Sequence, residues 1–299
     1  MSFPSRFLRF RSAAAILAVL AVLACCLAGC SGGDVRNNVK ALRDKQRLIA
    51  ALRYGLLTAV DLEKNALLSS VQSDGRMFLA KARDAMAGCA KDLASLGDLV
   101  RADANAKETE GFSAVAADFA QIDAVDATLL GLAGRNTNLQ ATALSRTEAA
   151  LAISRLQQAL TPIIDGPSCP AGREALRVVT AGLSILSLHP QHIAESSSAG
   201  MDTLEAAMNR QNARAEAALD RLSGLLPPDA DAALLAEAKA AYADFRRVTQ
   251  EVLGLSRQNT NIEAVALAMG QKRLITAKAL ADLAALEDVV GEKEFTATR

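Results

Sequence analysis

The sequence predicts an all-α protein of six antiparallel helices forming two stacked four-helix bundles, and three observations carry that prediction. Aromatic residues are 3% of the chain with no tryptophan, and apolar residues are 51%, rich in alanine and leucine, a composition that favours helix over strand. Turn signals at 73–75, 102–111, 162–172, 196–200 and 226–229 cut the chain beyond residue 34 into six stretches. A polar patch is also spelled twice, "LGLAGRNTNLQATAL" from Leu130 and "LGLSRQNTNIEAVAL" from Leu253. The copies lie 123 residues apart and are identical at nine of fifteen positions, which divides the chain into repeats at 35–165 and 166–295.

The six helices are predicted at about 35–72, 75–102, 110–163, 171–197, 201–225 and 230–293, in the order short, short, long, twice over. Through the first patch the seam Ile122, Val125, Leu129, Leu132, Asn136, Leu139, Ala143 alternates steps of three and four. Phe245, Val248, Val252, Leu255, Asn259, Ile262, Ala266 and Met269 do the same, so both long helices are expected to be continuous. At about 1.5 Å per residue they reach roughly 80 and 100 Å, against roughly 40 to 55 Å for the others. Two bundles sharing the long helices bury all six. Asn136 and Asn259 then meet at the junction, and Cys89 lies too far from Cys169 for a disulfide.

The first thirty residues read as a leader. Arg6, Arg9 and Arg11 precede the apolar run Ala13 to Leu27, which ends in Leu27, Ala28, Gly29, Cys30. This is a bacterial lipobox: residues 1–29 are a signal peptide, Cys30 is the lipidated (palmitate-bearing) N-terminus, and 30–34 a linker to the domain at 35–299. Ser31 favours the outer membrane, with the remainder facing the periplasm. Loss of three arginines leaves 30 basic residues against 33 acidic, a balance that argues against nucleic acid as a partner.

"LSRQNTNIEAVALAMGQKR" (Leu255 to Arg273) and "LEKNALLSS" (Leu62 to Ser70) resemble segments of the four-helix-bundle sensor domains of methyl-accepting chemotaxis receptors. The six-helix plan is similar to the helical bimodular variant of those sensors. The resemblance implies a small ligand, such as an organic acid, bound between helices. It departs from the receptors in having a lipid anchor in place of flanking membrane helices, so no signalling across the membrane is expected from the chain itself.

Several side chains are candidates for that ligand. Asn136 and Asn259 read either as a binding layer, through their carboxamides, or as a buried pair that fixes helix register. Asn138 and Asn261, off the seam, are expected at solvent or in a groove. Asn65 lies near the same level, where Glu63 and Lys64 read as a solvated face. Arg76, Arg135 and Arg257, with Arg83 beside them, are candidate anion ligands because a guanidinium offers a bidentate fork. His189 and His192, in "HPQH", are expected to be exposed on a helix kinked by Pro190, not to hold a metal. No cofactor or nucleophile motif is present, so the expectation is a non-enzymatic lipoprotein. It binds a small ligand or a partner membrane sensor; the alternative is a structural or interaction protein of the envelope.

Overall fold

The computed structural model describes residues 32–226 and 232–297, with side chains for 37–226 and 232–292. The leader, Cys30 and the Pro227–Pro228 turn lie outside the described residues. Six helical stretches appear and no strand is found among the described residues, so the chain is all-α. They are α1 (Gly32–Leu68), α2 (Gln72–Asp103), a third stretch, α6 (Cys169–Ala194), α7 (Ser198–Leu225) and a sixth. The third is α3 (Ala106–Arg135), α4 (Thr137–Leu144), the π turn Ser145–Ala149 and α5 (Ala150–Ile164). The sixth is α8 (Ala232–Gln258), α9 (Thr260–Leu267), the π turn Ala268–Lys272 and α10 (Arg273–Ala297). No described helix is long and apolar enough to cross a membrane.

The expected continuity of the long helices is corrected here. Asn136 (φ 41°) and Asn259 (φ 51°) are in the left-handed region and interrupt the two helices at matching places. Asparagine tolerates this conformation better than other side-chain-bearing residues. A stripe stepping by four runs through each break, and beyond it the alternating seam leaves the core. Leu129, Ala133, Thr137, Ala141, Ser145 and Ala149 are buried at steps of four, while Ala143 is exposed. In the second copy Val252, Ser256, Thr260 and Ala264 are buried, then Lys272 and Thr276, while Met269 is 58% exposed. A step of four overshoots the 3.6-residue turn, so such a stripe drifts around a regular helix. The left-handed residue and the wider π turn re-aim the backbone where the drift would carry the stripe to solvent.

The chain divides into two compact units. One takes the described residues up to Gly55, Gly88–Ala117 and the chain from Ala279. Its core holds Ile49 and Leu52 of α1, Leu96 and Val100 of α2, Val115 of α3, and Leu283 and Leu286 of α10, all at most 1% exposed. Lys45, 1% exposed, reaches Asp103 and Glu108. Ala104 turns the chain with φ 48°, and Asn105 Oδ1 caps α3 by accepting from Lys107 N at 2.9 Å.

The other unit takes Leu56–Ala87 and Asp118–Lys278. Its main core packs Ile153, Leu156 and Leu160 of α5 with Val178 and Ile185 of α6, Leu222 of α7, and Phe245 and Val252 of α8. Ser168 and Ser197 cap α6 and α7 through their hydroxyls. The helices meet closely at Gly182, where an added Cβ would lie 2.7 Å from Ile153 Cδ1. No disulfide joins Cys89 and Cys169: Cys89 is buried with its Sγ 3.9 Å from Leu52 O, and Cys169 is exposed.

Candidate functional site

The twice-spelled patch forms a reciprocal lock within the larger unit. Each break frees backbone N–H groups at the start of the following helix, and the opposite copy accepts from them. Thr137 N donates to Thr260 Oγ1 at 3.0 Å, Thr260 N donates to Thr137 Oγ1 at 3.4 Å, and the two hydroxyls lie 3.2 Å apart. Asn261 N donates to Asn138 Oδ1 at 3.2 Å. Asn138 Nδ2 donates to Asn259 Oδ1 at 3.0 Å and to Ile193 O at 2.9 Å, and Asn259 Nδ2 donates to Glu195 O at 3.3 Å. In both copies the first asparagine turns the backbone and the threonine hydroxyl accepts across the interface, while the carboxamides that cross-link the copies are those of Asn138 and Asn259.

Two expectations change as a result. The asparagines at matching positions do not pair: Asn136 Oδ1 accepts from Leu139 N at 3.3 Å in its own chain segment, and the cross-copy carboxamide bond joins Asn138 to Asn259. Asn138, expected at solvent or in a groove, is only 7% exposed, because the left-handed residue before it rotates the next helix inward.

The other candidates scatter. Asn65 is exposed and bonds Asp61 one turn back at 3.4 Å. Arg76, Arg83 and Arg135 are exposed. Arg257 reaches Glu205 with Nε at 2.6 Å and Asp202 with Nη2 at 2.5 Å. Glu205 also accepts from the His192 ring, 2.9 Å from Nε2, and His192 Nδ1 lies 2.8 Å from Ser256 Oγ. The Glu205 carboxyl is held below its ordinary value, first by the hydrogen bond from Arg257 and further by His192.

Ser256, His192 and Glu205 thus share the connectivity of a hydrolytic triad but not its setting. The serine is fully buried in a helix and its hydroxyl also donates to His192 O at 3.0 Å, so no substrate carbonyl reaches it. The expected exposure of the histidines is corrected: both are fully buried, and Pro190 sits inside a helix that continues to Ala194. His189 stacks on Phe245 at 6.1 Å, with Nδ1 3.0 Å from Ser145 Oγ. Burial first, and the neighbouring His192 second, press its pKa down to about 4.

Glu63 is likewise no solvated residue. It is 2% exposed and pairs through both oxygens with Lys272, which also reaches Asp126. Burial raises the Glu63 carboxyl to about 7; Lys272 opposes the shift and Asp126 adds to it. Asp126 is raised for the same leading reason. Lys64 is exposed as expected.

An open groove of about 710 Å³ runs between α6 and α7. Arg173 and Arg177 line it from α6 and Arg214 and Arg221 from α7, with Leu176 and Thr180 between them. Glu174, 8% exposed, accepts from two of these arginines, from Arg177 Nη1 and from Arg221 Nε, the latter at 3.0 Å. Arg214 makes one weak bond, to Gln211 Oε1 at 3.4 Å. Four guanidinium groups line the groove and the one carboxylate beside them binds only two, which leaves the groove electropositive, suited to anions. The sequence reading missed it, since these arginines are dispersed over about fifty residues in two helices and only helix pairing gathers them. The nearest signal was helical spacing: Arg173 with Arg177 falls at i and i+4, and Arg214 with Arg221 at i and i+7. A smaller groove of about 370 Å³ lies along Gln121, Val125 and Gln271.

Comparison with protein-family models finds no match, and comparison with curated proteins finds none.

Proposed function

We propose that this chain is a lipid-anchored, periplasm-facing envelope protein, residing in the outer membrane, with a chemoreceptor-like helical module that binds a small organic anion. It presents that ligand, or the bound state, to a partner in the envelope and carries no signal across the membrane itself. The observation that supports the reading is the α6/α7 groove, which Arg173, Arg177, Arg214 and Arg221 line and where one carboxylate, Glu174, pairs with only Arg177 and Arg221. The groove replaces the Asn136 and Asn259 layer as the ligand site in this proposal, because that layer's carboxamides are engaged with the protein itself.

A ligand of the native state raises the melting temperature by linkage, by about 3 kcal/mol of stability at a hundredfold excess over Kd. A panel of organic acids, amino acids and amines is expected to shift the melting of the wild-type chain for at least one acid. Arg173→Ala combined with Arg214→Ala should abolish the shift. A flat panel, or a shift that survives the double substitution, counts against the groove. The anchor is tested separately: labelled palmitate should enter the wild-type chain in bacterial cells and not the Cys30→Ala chain.

The lock between the two copies, in which the carboxamides of Asn136, Asn138 and Asn259 all bond within the protein, favours a second reading, a structural or docking lipoprotein in which these residues only hold helices in register. A flat panel together with normal palmitate labelling is the result that would favour it.

A further inference from the structure

Resting on the groove as the binding site, we infer that its ligand is a compact phosphate dianion, either inorganic phosphate or a small phosphate monoester. Glu174 is then the positioning residue that aims two guanidinium groups at it. One carboxylate draws in an arginine from each wall: Oε1 takes Arg177 Nη1 of α6, and Oε2 takes Arg221 Nε of α7 at 3.0 Å. A guanidinium has five N–H groups, so each arginine keeps donors that Glu174 does not use, including both terminal nitrogens of Arg221. Because both side chains are tied to one group, those donors are gathered near one place. A carboxylate ligand is filled by one guanidinium fork, whereas a phosphoryl group has three terminal oxygens and about two charges to share between forks. Arg173 and Arg214, neither in an ion pair among the described residues, supply further positive charge along the groove.

The internal repeat supports a specific role for Glu174. Helices α1 and α6 end at Leu68 and Ala194, and α2 and α7 begin at Gln72 and Ser198, so these helix pairs align at an offset of 126 residues. At that offset Arg173, Glu174, Arg177, Arg214 and Arg221 stand where the first repeat has Arg47, Leu48, Ala51, Gly88 and Ser95. Leu48 is a core residue, 5% exposed. A carboxylate at its counterpart position carries a desolvation cost that leucine does not, and the two arginine bonds are what offset it. Four charged groups have thus been concentrated on one repeat, where the other keeps an apolar or small residue.

Titration calorimetry on the detergent-solubilised full-length chain at pH 8 and low salt tests this, with inorganic phosphate, glycerol 3-phosphate, succinate and acetate as probes. Phosphate or the monoester should bind about tenfold or more tighter than either carboxylate, and should loosen toward pH 5 as the phosphoryl group takes up its second proton near about pH 6. Arg221→Lys keeps the charge but loses the fork and should weaken phosphate about tenfold. Glu174→Gln should also weaken it, although the variant is more positive, and Glu174→Asp should restore part of the loss. Tighter phosphate binding in Glu174→Gln would show that the carboxylate only neutralises the groove and would overturn the positioning role. Succinate binding as tightly as phosphate would overturn the ligand class and leave the organic-anion reading intact. No binding by any probe would remove the phosphate inference, and a flat wider panel would remove the groove with it. Should Glu174→Gln fail to fold by circular dichroism, Arg214→Ala, whose side chain bonds only Gln211, is expected to weaken phosphate and overturns the site if it does not.

Discussion

Asn136 shows how much one backbone conformation decides. The left-handed region costs a residue with a Cβ about 1–2 kcal/mol, while glycine enters it freely. Its side chain adds only a local cap, from Leu139 N at 3.3 Å. Asn136→Ala is therefore expected to destabilise by about 1–2 kcal/mol and Asn136→Gly by a few tenths, measured by urea unfolding. Asn259 has the same backbone role but also holds Asn138 and Glu195 O. Asn259→Gly should consequently cost more than Asn136→Gly; equal costs would mean that the lock contributes nothing. The residue identities of this lock were legible as a repeat, but their roles were not. In the sequence Asn136 sits in phase with a seam, and nothing in the letters says that its φ is positive.

At the scale of elements, six stretches and their turns follow from local chemistry. Ser168 and Ser197 at helix starts and Asn105 before α3 are capping residues whose meaning is local. The π turns were hidden for a physical reason. A stripe stepping by four and one alternating three and four run side by side over two turns: here they share Leu129, Leu132 and Asn136 are buried alongside Ala133 and Thr137, and burial separates them only at Ala141 against Ala143. Glu63 reads as solvated by the same logic, since a charged residue on a helix usually is, but its partner Lys272 lies 209 residues away in sequence, and Asp126, which shares that lysine, lies 146 residues from it. The buried histidines belong here too, since Ser145 and Ser256 reach them from other helices.

At the scale of the whole molecule, buried ionisable groups give stability two opposing dependences on pH. Glu63 is raised to about 7 from 4.5. Between those values the unfolded chain releases a proton that the folded chain keeps, so this contribution is full below about pH 4.5 and is lost as pH rises toward 7. His189 is lowered to about 4 from 6.5. There the unfolded chain takes up a proton that the folded chain refuses, so stability is lost as pH falls through that window. Glu63→Gln removes the first dependence alone, leaving Lys272 paired with Asp126. Relative to wild type, the variant should gain stability from pH 5 to about pH 7 and level off by pH 8 in urea unfolding. A difference that stays flat across this range would show that Glu63 does not hold its proton in the folded state.

Composition, turn residues and repeats act locally along the chain, and the helical class, the six stretches, the duplication and the places where the two polar patches fall can all be read from them. That the patches break their helices and cap each other, that Glu63, Lys272, His189 and His192 are inside, and that four dispersed arginines share a groove emerges from the packing of the helices. Each of these depends on which side chains meet across helices, and small rotations at Asn136, Asn259 and the two π turns change that outcome without changing the pattern of letters.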